Sequence, residues 1–329
     1  FDAEPPRARP RATFLGSIRD ARRVLRASAS RAAAIQTSNE IFNEAVRRSV
    51  SDLYMLMTDT PQGPYPYAGI PWFSAAFGRD ALITALMTLW LDPSIARGVL
   101  GYLAANQARA VDPAADAEPG KILHEARHGE MALLGEVPFR RYYGSVDSTP
   151  LFVLLAGAYL ARTGDRAFLE AMWPHVEGAF DYMEVLRASE RTEANREVNE
   201  AFYGMMPASI SHEGYSAKPM HSYWDNFWAL RGYKDAVQVA EALGRAEDAA
   251  RMAAARDRFR ADLLASLDAA ATRHGIDYLP GAAELGDFDP TSTTIALAPG
   301  GELWVVYNAH LPYLPLLRRF GATDIVTER

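Results

Sequence analysis

No cysteine occurs anywhere in the 329 residues. Disulfides, thiolate metal sites and a cysteine nucleophile are excluded together. The compartment stays open on this count, with the cytoplasm as the expectation. No apolar run reaches the ~18 residues a membrane-spanning helix needs, so no membrane partner is expected. Excess basic charge is also lacking: 34 Lys and Arg stand against 41 Asp and Glu, giving a net charge of −7 and a pI near 5.6. A phosphate backbone selects a basic face, so nucleic acid is not an expected partner. A neutral, polar ligand fits better. The Pro- and Arg-rich start, Phe1 to Arg11, has no apolar h-region and reads as a linker, not a signal peptide.

What is present is helix. Segments of 3.6-residue periodicity are separated by loops rich in Gly, Pro and aromatics, which predicts an all-α chain. Thr37-Ser38-Asn39-Glu40 reads as a capping box opening a helix to Met57, with Ile41, Ala45, Val50, Leu53 and Met57 inward. Further helices are expected over Asp80–Leu91, Asp92–Gln107, Thr149–Arg162, Arg166–Leu186, Tyr223–Leu243, Ala246–Arg273 and Tyr307–Phe320. Joints such as Thr163-Gly164-Asp165 and Gly244-Arg245 pair them into hairpins. Leu303–Val306 is the best of a few short strand candidates.

Three connections are long for a helical protein: Thr58–Gly78, Val111–Ser148 and Ala188–Ser222. Long loops on a rigid scaffold are where binding and catalysis are usually built. The first carries Tyr65, Tyr67, Trp72 and Phe73, then Arg79-Asp80; aromatic faces stack on sugar rings, and an Arg-Asp pair serves vicinal hydroxyls. Core packing and a capping role for Asp80 are the competing reading. The second carries His124-Glu125-Ala126-Arg127-His128, which fits H-E-x-x-H, then Glu130, Tyr143 and Asp147. That zinc motif needs a long helix, whereas Gly120 and Gly129 bracket the run, so no metal is expected. The third ends in His221-Ser222-Tyr223-Trp224-Asp225-Asn226-Phe227-Trp228. An acid among four aromatics is partly dehydrated, which raises its pKa and suits a general acid. A helix-capping Asp beside an aromatic cluster would look the same.

The runs GIPWFSAAFGRDALITAL, DAEPGKILHEARHGE, FRRYYGSVDSTPLF, ISHEGYSAKPMHSYWDNFWALRG and LGDFDPTSTT resemble bacterial amylo-α-1,6-glucosidase and glycogen-debranching-like proteins. The resemblance extends from about Thr37 to Gly301. It implies an (α/α)6 toroid of helical hairpins over residues 37–329, incomplete at its end, after a linker and leading helix over residues 1–36. It also implies an inverting glycoside hydrolase acting on a glucan or oligosaccharide, without a cofactor. Asp225 matches the catalytic acid. Arg79 and Asp80 match a pair that holds the terminal sugar, Asp147 lies in a substrate-contacting loop, and Trp72, Tyr143 and Trp224 would be walls. Glu130 and His221 complete the expected polar contacts. The family's base lies far downstream of its acid, so a fragment lacking its base is expected; Glu284, Asp287, Asp289 and Glu302 are candidates by position alone. A carbohydrate-binding fragment is the alternative. So is a toroidal sugar isomerase using His124, His128, His212 and His221.

Overall fold

The computed structural model describes residues 13–137, 140–212 and 214–302. The linker Phe1–Arg11, the strand candidate Leu303–Val306 and the helix expected at Tyr307–Phe320 lie outside the described residues.

The chain is mainly helical. Helix α1 (Phe14–Ala29) packs on α2 (Glu40–Met55). A small hairpin, β1 (Met57–Thr60) and β2 (Gly63–Pro66), follows, and a two-residue strand β3 (Ala76–Phe77) leads into α3 (Gly78–Met87). Then come α4 (Pro93–Ala105), strand β4 (Glu125–Ala126), short α5 (Glu130–Leu133), α6 (Ser148–Thr163), α7 (Arg166–Glu190) and short α8 (Glu193–Val198). Helices α9 (Tyr223–Leu243) and α10 (Ala246–His274) and short α11 (Pro290–Thr293) close the described chain. Among the described residues no helix is long and apolar enough to cross a membrane.

Side-chain pattern decides which helix lies inside. In α6 every residue from Ser148 to Gly157 is buried, and in α9 every residue from Tyr223 to Leu230 is buried. Helices apolar all round must be enclosed. Helix α10 instead buries one stripe, Met252, Ala255, Phe259, Leu263, Leu267 and Ala270, at three- and four-residue steps. Helix α7 does the same through Leu169, Trp173, Val176, Phe180 and Met183. The contacts follow this division. Helix α6 packs on both α3 and α9, while α4, α7 and α10 each cover the partner that precedes them in the chain. Three hairpins, α3/α4, α6/α7 and α9/α10, thus stand side by side with α3, α6 and α9 forming the inner row. Two joints close on glycine in the left-handed region, Gly164 (φ 68°) and Gly244 (φ 78°), where the helix ends on a backbone turn that a side chain disfavours. Ring contacts fill the seam: Tyr233 of α9 meets Phe180 at 5.3 Å and Phe259 at 5.2 Å.

Helix α2 departs from its reading. Asn39, not Thr37, is the cap: its side chain accepts from the Phe42 amide at 3.1 Å, while Thr37 Oγ1 binds Asn43. Ile41 and Ala45 are exposed, and only Asn43 and Tyr54 are buried. Val50, Leu53 and Met57 are half-buried as expected, Leu53 and Met57 packing on the core, and Tyr54 anchors the same end by donating its hydroxyl to Asp92 at 2.9 Å.

Candidate active site

Inner helices starting at one end bring their first turns together. Arg79 is the second residue of α3, Asp147 precedes the first residue of α6, and Asp225 is the third residue of α9. Gly78 lets the first of these in: its amide donates to the His124 carbonyl at 2.8 Å, and a Cβ there would lie 1.9 Å from the Leu123 carbonyl oxygen. Asp147 Oδ2 then accepts from Arg79 Nε and, at 2.8 Å, from the Trp224 indole N–H. The Arg79 Nη2 continues to the Ser211 carbonyl at 2.7 Å. One guanidinium and one carboxylate therefore tie three helix starts and the loop before α9 into a single corner.

Asp225 is 1% exposed, and its neighbours along α9, Tyr223, Trp224, Phe227 and Trp228, are all buried. Burial pushes its carboxyl up, to about 8; the Asp147 charge adds to this, while a hydrogen bond from Ser209 and the Arg79 charge oppose it. The group is therefore neutral at pH 7. Ser209 Oγ accepts from the Ser211 amide at 2.7 Å and donates to Asp225 Oδ2 at 2.5 Å. Oδ2 being an acceptor, the carboxyl proton belongs on Oδ1. Burial acts against charge on Arg79, but Asp147, through its charge and its hydrogen bond, outweighs it and keeps the guanidinium cationic. Beside it, His124 is pushed down by burial and by the Arg79 charge, so the ring is neutral.

Five buried side-chain atoms have no hydrogen-bond partner among the described residues, and four belong to this corner: Asp225 Oδ1, Asp147 Oδ1, His124 Nδ1 and Trp228 Nε1. Buried polar atoms are nearly always satisfied, so a cluster of orphans calls for an explanation. Here two carboxylate oxygens and two ring nitrogens keep hydrogen-bonding capacity that no described residue uses.

The other expected residues divide. Asp80, next to Arg79, is exposed and shares with it, Tyr67 and Ile83 a cleft of about 270 Å³. Trp72 is 79% exposed on the first loop and so is not core. Its neighbour Phe73 begins a row of edge-on rings, Phe73–Phe77 at 6.0 Å and Phe77–His124 at 6.1 Å, leading to the corner. Tyr143 is not a wall of this corner; it is buried, its hydroxyl donates to the Asn106 carbonyl at 2.7 Å, and it lines a separate cleft. Glu130 opens α5 and is exposed.

His221 is buried with both ring nitrogens occupied, Nδ1 by Glu284 at 2.7 Å and Nε2 by Glu190 at 3.3 Å, and it stacks on Phe202 at 4.1 Å. Burial opposes its charge, yet the two carboxylates outweigh that and hold it up, to about 9. It is a cationic clasp between α7, the loop before α9 and the segment after α10. The downstream carboxylates are engaged too. Glu284 takes His221, Asp287 accepts from Tyr215 at 3.0 Å, Asp289 caps α11 and holds His212 at 3.0 Å, and Glu302 pairs with Lys234 and Arg260.

The H-E-x-x-H run is not helical: Glu125-Ala126 pairs as β4 with β3, and Glu125 accepts from Arg127. His124 and His128 therefore do not share a helix face, and no group of three or more His, Asp or Glu among the described residues could hold a metal ion. Sequence reasoning missed Ser209, which donates to the acid, and Glu190, which holds His221. A serine and a glutamate in a long connection carry no local signal of either role.

No protein-family model matches the chain, and no curated protein is recognisably similar to it.

Proposed function

We propose that this chain is an inverting glycoside hydrolase acting on α-glucosidic bonds of a glucan or small α-glucoside, of the amylo-α-1,6-glucosidase-like kind, on an (α/α)6 toroid. Three hairpins with an inner row of helices are the arrangement such a toroid repeats. The observation that carries the chemistry is Asp225: a buried acid with a raised pKa and a single unpartnered oxygen.

In this reading Asp225 protonates the glycosidic oxygen from Oδ1. Ser209 fixes the carboxyl by binding Oδ2, which leaves the proton on Oδ1, the atom without a partner. Arg79 and Asp147 hold hydroxyls of the terminal sugar, Asp147 through its unpartnered Oδ1, and Trp224 and Trp228 supply the apolar wall. Inversion needs a carboxylate about 6.5–9.5 Å from the acid to activate water. Glu284, Asp287, Asp289 and Glu302 are each committed to other partners, so none is assigned that role.

That engagement favours a second reading, a carbohydrate-binding module without turnover. One experiment separates the two. The purified protein and its Asp225→Asn variant are incubated with maltose, isomaltose and a short branched glucan, and released glucose and bound sugar are measured. Hydrolysis that falls about 10²–10⁴-fold in the variant supports the acid assignment. Hydrolysis that survives the substitution sinks it. Sugar binding with no hydrolysis by the unsubstituted protein supports the binding module.

A further inference from the structure

A second cleft, of about 1270 Å³, opens beside the second long loop, lined by Ala105 at the end of α4 and by residues within 107–117, 127–128, 132–137 and 140–143. Its floor is made of small and buried groups, among them Ala108, Ala117, Ala132 and Tyr143. Alanine there leaves room where a larger apolar side chain would fill the space. The floor is held in shape: Tyr143 donates its amide to the Ala115 carbonyl at 2.9 Å and its hydroxyl to the Asn106 carbonyl. Gln107 is pinned between the Gly120 and His175 carbonyls at 2.9 and 3.0 Å.

The charge on this cleft runs against that of the protein. Four arginines line it, Arg109, Arg127, Arg140 and Arg141, against two acids, Asp112 and Glu136, although the whole chain carries −7. Arg127 serves Glu125, and the Asp112 carboxylate accepts from the Ala114 amide at 3.1 Å. Arg109, Arg140 and Arg141 form no ion pair with any described residue. All three are exposed long side chains on the lining of one cleft, where each can turn its guanidinium toward an anion. Their planar forks match the oxygens of a phosphate two at a time. A neutral glucan offers nothing that needs three positive charges.

We infer that this cleft binds a phosphorylated metabolite, its phosphate held by Arg109, Arg140 and Arg141 and its body lying on the alanine floor. The space exceeds what one phosphate fills and suits a body of sugar or nucleoside size. The site is separate from the Asp225 corner and does not depend on the hydrolase reading. The two do share a structural link. Arg127 holds Glu125 of β4, and β4 pairs with β3, which ends two residues before Arg79.

The test reads binding alone. Titration calorimetry on the whole chain uses glucose 1-phosphate and ADP as the two kinds of body, with pyrophosphate, glucose and sulfate at matched ionic strength as references. Saturable binding of one phosphorylated probe, at least about tenfold tighter than sulfate and absent for glucose, is expected. The preferred probe distinguishes a sugar phosphate from a nucleotide. The double variant Arg140→Gln/Arg141→Gln should weaken it about tenfold or more, because each lost charge-assisted hydrogen bond counts. Arg273→Gln, on the exposed end of α10, should leave it unchanged. Binding no tighter than sulfate, or binding indifferent to the double variant in a protein whose melting temperature is unaltered, overturns the inference. If the double variant unfolds, Arg109→Gln alone is the arbiter, with the same two outcomes.

Discussion

His221 and Asp225 stand four residues apart at the start of α9, and the carboxylates around them are treated oppositely. Around His221 everything is matched: Glu190 and Glu284 each meet a ring nitrogen, the imidazole is held cationic, and both acids are held below their ordinary range. Around Asp225 the match is deliberately short. One arginine faces two carboxylates, each keeps an unpartnered oxygen, and burial holds Asp225 neutral. A satisfied cluster fastens chain segments; an unsatisfied one, flanked along its helix by aromatics, is a place where something else completes the bonding. Local propensity is the same in both, so the contrast identifies the site better than either motif does.

The contrast can be broken experimentally, most severely at Arg79. Replacing it with Gln strands Asp147, which is 0% exposed, and removing one partner of a buried pair costs about 3–5 kcal/mol. Adding Asp147→Asn should recover much of that loss, because the stranded charge is then gone. Denaturant unfolding of the two single variants and the double variant measures it. Losses that simply add would show that the two do not act as a pair.

Next is pH dependence at His221. Its folded pKa, about 9, lies above the ordinary 6.5. Its contribution is thus fully present below pH 6.5 and is lost as pH rises through 9. His221→Gln should cost about 1–3 kcal/mol at pH 6 and much less at pH 10. A cost that stays level over that range would mean the imidazole is not held as a cation.

The sharpest test of the difference is the stability of Asp225→Asn. Between the ordinary carboxyl pKa of 3.8 and about 8, the folded protein keeps a proton that the unfolded chain has lost, so stability falls as pH rises through that window. The Asn variant escapes this fall. Its melting temperature should exceed that of the unsubstituted protein by about 2 °C or more at pH 8, and the gap should close near pH 4. An equal or lower melting temperature at pH 8 would place Asp225 among the satisfied, structural acids.

Much of this was legible beforehand, for reasons that differ by element. Helices α6, α7, α9 and α10 were located to within a few residues, because long periodic runs and Gly joints are local signals. The hairpin β1–β2 was not, since Gly63-Pro64-Tyr65-Pro66 shows no alternation and gains its order from pairing and from the Tyr65 hydroxyl donating to the Phe77 carbonyl at 2.7 Å. Asp225, Arg79, Asp147 and Trp224 were all named from their runs, and they meet. Tyr143 and His221 were named on the same grounds and do not join them, because an aromatic or a histidine in a long loop looks alike whether it faces a ligand or a carbonyl.

The sequence by itself determined the class of the molecule: a cysteine-free, acidic, mainly helical chain with long aromatic connections between its helices. Those properties follow from composition and side-chain periodicity, which are local. The tertiary structure alone decided which polar residues are paired. Arg79 and Asp147 are 68 residues apart and Trp224 a further 77 from Asp147, and only the alignment of three inner helix starts puts them in one corner. Whether a carboxylate is a clasp or an acid depends on how many partners that alignment delivers, a count that no stretch of sequence contains.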